Sequence, residues 1–215
     1  MAKARIMLVD DHPIVRQGLS QMINREMDLE VAWALPDAGS ALEAIDKERP
    51  DLVVVDISLP DVGGLELVKQ IRALDEELPI LVCSMHDESL YAERCLHAGA
   101  RGYIAKSESS ARVVEAIRRV LDGKVYLSER MSERVLNRMV NTKAEVGSSP
   151  IEALSDRELE VFELIGRGET TRSIAQALNL SMKTIETYRE NIKLKFGLKN
   201  STELIRHAVG WMESR

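Results

Sequence analysis

The sequence predicts an α/β protein, a doubly wound five-stranded parallel sheet, followed by a small all-α domain. Three patterns predict it. Through roughly the first 125 residues, short apolar runs alternate with stretches whose apolar residues recur at helical spacing, the signature of a parallel sheet with helices on both faces. One of those runs, Leu52-Val53-Val54-Val55, is apolar at every position, as expected for a strand covered on both sides. Beyond about residue 150 only helical patterns remain.

Each element has a local reason. Ile6-Met7-Leu8-Val9 reads as the first strand. Pro13 suits the first turn of the helix after it, with Ile14, Val15, Leu19, Met22 and Ile23 spaced behind it. A strand is expected over 30–35 and a helix near 37–47. After the Leu52 run, Pro60 and the pair Gly63-Gly64 precede a helix starting near Leu65. The run Ile80-Leu81-Val82-Cys83 leads to a helix over about 88–98, stopped by Gly99. Gly102-Tyr103-Ile104-Ala105 is the fifth strand, and its helix runs from about Ser109 to Leu121 before Gly123. An amphipathic helix is expected over 129–140, capped by Ser128. The segment 141–150 is small, polar and without period, and reads as a linker. Helices are then expected near 156–166, 171–178, 182–196 and 202–213. The domain division is 1–124, then helix and linker over 125–152, then 153–215.

Composition narrows the class. At 45% hydrophobic and 30% charged, the chain is globular rather than disordered. With only 4% aromatic residues, its core must be aliphatic. No apolar run approaches the roughly 18 residues of a membrane span, and the N-terminus leads straight into a strand without a secretory signal. Cys83 and Cys95 sit in apolar settings and read as reduced core residues of a cytoplasmic protein. Charge is uneven: residues 1–150 carry the whole −6, and 151–215 are neutral. Within 165–215 nine basic residues face five acidic ones, so a phosphate-binding surface belongs at that end.

Five chemically distinctive residues fall at or just past strand ends: Asp10, Asp11, Asp56, Ser84 and Lys106. Singly each has an ordinary explanation. An acid pair before a helix suits a cap or the helix dipole, an aspartate can close a turn, and a lysine is most often solvated. Jointly they point elsewhere, because open parallel sheets bind ligands outside the carboxyl ends of their strands. Three carboxylates in one crevice repel one another unless a cation joins them, and small, hard Mg²⁺ suits an all-oxygen site.

The strings Asp10-Asp11-His12-Pro13, Val55-Asp56-Ile57-Ser58-Leu59-Pro60, Ser84-Met85-His86 and Gly102-Tyr103-Ile104-Ala105-Lys106 resemble the flavodoxin-like receiver domain of bacterial two-component response regulators, over about residues 4–124. The resemblance implies that Asp56 is the phosphoacceptor. It implies that Asp11, Asp56 and the backbone carbonyl of Ser58 ligate Mg²⁺ directly, with Asp10 acting through water. Lys106 and Ser84 would bind phosphoryl oxygens, and Ser84 with Tyr103 would form the switch. Two departures stand out. Ser107 replaces the proline that usually comes after the lysine in a cis bond, so a trans or looser loop is expected. Met85 stands where a small residue is usual, which would narrow access.

The strings Leu154-Ser155-Asp156-Arg157-Glu158, Thr171-Arg172-Ser173-Ile174-Ala175-Gln176-Ala177-Leu178 and Ser181-Met182-Lys183-Thr184-Ile185-Glu186-Thr187-Tyr188 resemble the LuxR-type helix-turn-helix of the NarL/FixJ class. Ser181 can cap a helix with Ile185, Ile192 and Phe196 on one face and a polar face opposite, which could enter a major groove. Lys183, Arg189, Lys193, Lys195 and Lys199 are then the candidate phosphate contacts, and Thr184 and Thr187 the candidate base contacts. Glu186 and Glu190 must reach base edges or point away.

The combined expectation is a non-enzymatic transcription regulator. Its partners would be a histidine kinase or small phosphodonor, double-stranded operator DNA, a second copy when phosphorylated, and RNA polymerase, with no membrane. The rivals are a regulator indifferent to phosphate, a helical module that binds protein, and a Mg²⁺-dependent phosphatase with an aspartate nucleophile. That last class wants a second acid two residues after the nucleophile, where this chain has Ser58.

Overall fold

The computed structural model describes residues 2–60, 62–140 and 150–214. The chain divides into two compact units, Met1–Asn141 and Thr142–Arg215. The linker expected over 141–150 lies, apart from Pro150, outside the described residues.

The first unit alternates strand and helix: β1 (Ala4–Val9), α1 (Pro13–Asn24), β2 (Leu29–Leu35), α2 (Ala38–Lys47), β3 (Leu52–Val55), α3 (Gly64–Leu74), β4 (Ile80–Ser84), α4 (Glu88–Ala98), β5 (Gly102–Ala105) and α5 (Ser110–Leu121). The strands pair in the order β2-β1-β3-β4-β5, all parallel. Alternate residues of the central strands build two cores. Ile6, Leu8, Leu52, Val54, Leu81, Cys83 and Ile104 pack with Ile23 of α1 and with Val113, Val114, Ile117 and Val120 of α5. Met7, Val9, Val53, Val55 and Val82 point the other way, and α3 contributes the buried Leu67, Val68 and Ile71.

The order reverses between β1 and β3, one leading to β2 and the other to β4. Such a switch point opens a crevice at the strands' carboxyl ends. Ladder bonds continue one residue past the strands and hold the site residues in register. The Asp10 amide donates to the Leu35 carbonyl (3.1 Å), that of Asp56 to Val9 (2.9 Å), and that of Lys106 to Ser84 (2.8 Å).

Gly64 makes the start of α3 workable. Its amide donates to the Ile57 carbonyl at 2.8 Å. A Cβ there would lie 1.8 Å from the carbonyl oxygen of Asp56, so only glycine lets the helix pass this close to the site backbone.

A sixth helix, α6 (Glu129–Val140), packs on the first unit. The Ser128 hydroxyl caps it by accepting from the Met131 amide at 3.1 Å. The Ser128 amide donates to Glu88 Oε1 (2.9 Å), and Met131 is buried.

The second unit is helical: α7 (Asp156–Gly166), α8 (Thr171–Ala177), α9 (Met182–Phe196) and α10 (Ser201–Glu213). Its core joins Leu159, Phe162, Ile165, Ile174, Ile185, Ile192, Leu204 and Ala208. Among the described residues no helix is long and apolar enough to cross a membrane.

Candidate functional site

Asp10, Asp11, Asp56, Ser84 and Lys106 are brought to the β1–β3 crevice by the strand ends that carry them. Asp10 and Asp56 are each 3% exposed, and Ser84 is fully buried. Lys106 Nζ bridges two acids, 2.6 Å from Asp10 Oδ2 and 2.7 Å from Asp56 Oδ2. Burial works against the ammonium, but the charges and hydrogen bonds of Asp56 and Asp10 outweigh it and hold its pKa above the ordinary lysine value. Lys106 is therefore a fixed positive charge.

The carboxylate oxygens divide into used and unused. Asp10 has both engaged, because Oδ1 accepts from the His12 amide at 2.8 Å and Oδ2 meets Lys106. Asp56 Oδ1 and Asp11 Oδ1 are buried without a hydrogen-bond partner. His12 Nδ1 does lie 2.6 Å from Asp11 Oδ1, a charge contact out of line for a hydrogen bond. Burial raises the pKa of Asp11, His12 opposes that, and the nearby charges of Asp56 and Asp10 add to it. Unsatisfied carboxylate oxygens in a buried site are costly, and a divalent cation satisfies them. One ligand atom each from Asp10, Asp11, His12 and Asp56 lies within 4.8 Å of the others, a spacing that could hold a metal ion.

Behind the acids lies a second layer. The Tyr103 hydroxyl donates to the His86 carbonyl at 2.6 Å, and the tyrosine is fully buried. The His86 ring approaches Ser58 Oγ through Nε2 at 2.9 Å and packs against Tyr91, centroids 4.5 Å apart. The His86 amide donates to Ser84 Oγ at 3.3 Å. Cys83 is buried beside this layer, which pushes its thiol up to about 12 and leaves it unreactive.

In the second unit, α8 and α9 are joined by a tight turn. Asn179 adopts φ 50°, a left-handed conformation that asparagine tolerates. Ser181 then caps α9, its hydroxyl accepting from the Thr184 amide at 3.0 Å. Ile185, Arg189 and Ile192 are the buried face of α9, while Lys183, Glu186, Thr187 and Glu190 are exposed.

Comparison with known proteins decides what these two units are. The response regulator receiver domain family matches residues 6–118, and the luxR family of bacterial regulatory proteins matches 152–208. The chain is a response regulator of the NarL/FixJ class. The oxygen regulatory protein NreC of Staphylococcus epidermidis is 34% identical over 210 residues, covering 95% of this response regulator and 96% of NreC. A LuxR-family response regulator from Aurantimonas sp. SI85-9A1 matches with TM-score 0.60 and 39% identity, over 65% of this chain and all of that one. RcsB of Salmonella typhimurium matches with TM-score 0.58 and 25% identity, over 96% and 98% of the two chains. The family is one of DNA-binding transcription regulators, and that is this chain's function class.

The response regulator's sequence-predicted residues do not all sit where expected. Asp10, Asp11, Asp56, Ser84 and Lys106 converge, and Ser58 and Tyr103 flank them. The described backbone has no cis peptide bond, so the Lys106–Ser107 bond is trans. Met85 is 73% exposed and packs against little. Two of the candidate DNA cations are placed otherwise. Arg189 is 8% exposed, on the same face as Ile185 and Ile192, and does not present itself to a phosphate. Lys195 Nζ is spent on Glu158 Oε2 (2.5 Å) and the Ala153 carbonyl (2.9 Å). Both positions lie on α9, but helical phase and a buried glutamate across the unit decide where their side chains go. Lys193 is partly drawn in, pairing with Glu190 at 2.9 Å. Lys183 and Lys199 remain exposed. The Thr184 and Thr187 hydroxyls already bond locally, to Ser181 Oγ and to the Lys183 carbonyl. Sequence reasoning missed His12 and His86. Their proximity to Asp11 and Ser84 was the signal available, although nothing in the pattern gave their side-chain direction.

Proposed function

We propose that phosphorylation of Asp56, by a histidine kinase or a small phosphodonor, controls dimerisation and sequence-specific DNA binding of this transcription regulator. The observation that carries the reading is the division of labour at Asp56. Oδ2 is held by Lys106, while Oδ1 is buried and unpartnered. A carboxylate with one oxygen anchored and one free is oriented for nucleophilic attack on phosphorus. Lys106 stays charged and can pair with a phosphoryl oxygen. Ser84 can donate to another, and its link to His86, with Tyr103 bonded to the same residue, supports the switch role of Ser84 and Tyr103.

The donor set fits Mg²⁺. Asp11 and the Asp56 carboxylate would be the direct ligands, with the Ser58 carbonyl, and Asp10, whose two oxygens are already engaged, would act through water. Bound there, Mg²⁺ supplies positive charge against the repulsion between Asp56 and an incoming phosphoryl group.

In the second unit, the exposed face of α9 enters a major groove from its capped N-terminus. Lys183 and Lys199 hold phosphates, with Lys193 able to join them, and Thr184 and Thr187 face bases. The working partners are a kinase, operator DNA, a second copy and RNA polymerase, and the working compartment is the cytoplasm.

Acetyl phosphate with Mg²⁺ should add one phosphoryl group by intact mass, and Asp56→Asn should take up none. Equal uptake by the variant would sink the assignment.

A further inference from the structure

We infer that His12 is an additional metal ligand, so that the acid site takes first-row transition divalent ions with an imidazole nitrogen in their coordination and not only Mg²⁺. This rests on the reading of the acid cluster as a metal site. His12 sits directly after Asp11, at the entry to α1, in an extended conformation (φ −85°, ψ 109°) and makes no side-chain capping bond. Its amide is pinned to Asp10 Oδ1 at 2.8 Å, which fixes the backbone at the rim of the cluster. Its Nδ1 reaches inward, 2.6 Å from Asp11 Oδ1 and 3.6 Å from Asp10 Oδ1. The imidazole is otherwise 62% exposed, so no packing opposes the small turn that would bring a ring nitrogen onto an ion.

The second observation is independent of His12. Asp56, 3% exposed, aims an unpartnered Oδ1 into the same cluster. A cation drawn to that oxygen and to Asp11 Oδ1 lies within coordinating reach of the imidazole, since all four ligand atoms fall within 4.8 Å of one another.

Ligand type then sets the preference. Mg²⁺ favours oxygen and gains little from imidazole, whereas Mn²⁺ and Co²⁺ accept it readily, Co²⁺ the more strongly. His12 therefore raises affinity for the transition ions and leaves Mg²⁺ nearly unchanged.

The test compares the full chain with His12→Ala. Co²⁺ and Mg²⁺ affinities are measured by titration, and pulsed EPR on the Mn²⁺-loaded protein looks for nitrogen coupling from a directly bound imidazole. The expected result is nitrogen coupling in the unaltered chain and none in the variant, with Co²⁺ affinity down about tenfold or more and Mg²⁺ affinity within about twofold. The unchanged Mg²⁺ affinity also reports that the variant is folded. Mg²⁺ binding with no nitrogen coupling in the unaltered chain overturns the role of His12 and leaves the acid site standing. An equal fall for both ions also overturns it, since His12 would then act on the site as a whole. If the unaltered chain binds no ion that Asp11→Asn abolishes, the acid-site reading fails, and this inference with it.

Discussion

Lys195→Met separates two roles that one lysine could play, and the structure assigns the structural one. The substitution removes the ammonium and keeps most of the apolar stem. It leaves behind Glu158, 4% exposed and deprived of a 2.5 Å partner. An exposed ion pair is worth about 0–1 kcal/mol, whereas orphaning a buried charge costs about 3–5 kcal/mol. This pair lies between those limits. The Lys195 side chain is 36% exposed, and Glu158 keeps the Ser155 amide at 2.8 Å through a capping box. The expected cost is about 2 kcal/mol, roughly 2 M in urea midpoint, since a unit this small has an m value of only about 1 kcal/mol/M.

The chain has two tryptophans, and they divide between the units, Trp33 in β2 and Trp211 in α10. In a Trp33→Phe background, Trp211, whose ring lies 5.3 Å from Phe162, reports the second unit alone. The pH dependence carries a sign. Burial raises the Glu158 carboxyl, but bonds from Lys195 and Ser155 outweigh it and its pKa is lowered in the folded state. The stabilisation is therefore complete above the unfolded value, about 4.3, and is lost as pH falls through the folded value. The difference between Lys195→Met and the unaltered chain should be full at neutral pH and shrink below about pH 4. Salt titration on a non-specific duplex completes the assay. Lys183→Ala should lower the log–log slope by about 0.9, and Lys195→Met should leave it unchanged. A slope reduced by about one in Lys195→Met, with stability intact, would refute the reasoning and return Lys195 to the DNA.

Gly64→Ala places a methyl group 1.8 Å from the Asp56 carbonyl oxygen, so the α3 start or the Asp56 backbone must move. The first unit should lose about 3 kcal/mol or more by Trp33 fluorescence, and phosphoryl uptake should fall with it. Unaltered stability and uptake would mean that the close approach is not obligatory. Tyr103→Phe removes the donor that reaches the His86 carbonyl at 2.6 Å. A loss of about 1 kcal/mol is expected in denaturant melts, with uptake at Asp56 preserved, and no loss would mean that water replaces the hydroxyl at no cost.

The fold was legible because its signals are local. Apolar runs, Pro13, Gly99 and the serine caps each declare an element without reference to the rest of the chain. The acid site was legible for a related reason: parallel strands deliver the residues just past them to one edge, so position in sequence becomes position in space. The strand-end acids and the lysine thus needed no side-chain detail. Side-chain direction on α9 was less accessible. Arg189 and Lys195 read as candidate phosphate contacts of a helix resembling the LuxR-type recognition helix, but one falls in phase with Ile185 and Ile192 and the other meets a glutamate 37 residues earlier. Periodicity could have flagged Arg189, since it lies four residues after Ile185. Nothing local could have flagged Lys195. His12 escaped for the same reason, because its role depends on where Nδ1 points.

Those placements bear on the proposed pairing of two copies on DNA. With Arg189 buried, Lys195 held by Glu158 and Lys193 shared with Glu190, the cations expected of α9 and the turn after it that are both exposed and without a described acidic partner reduce to Lys183 and Lys199. Each neutralised phosphate contributes a slope of about 0.9 in log affinity against log salt, so a single unit limited to these proposed contacts would hold DNA weakly at physiological ionic strength. Net charge adds no long-range attraction, since residues 151–215 are neutral and the rest of the chain carries −6, so only the local basic excess within 165–215 favours phosphate. Two units on paired half-sites double the phosphate contacts and make the second binding event intramolecular, where effective concentration rather than new contacts raises the affinity. Weak charge in one copy is thus what lets the proposed phosphorylation-dependent pairing act as the control point. A strongly basic domain would bind DNA alone, and Asp56 would have little left to regulate.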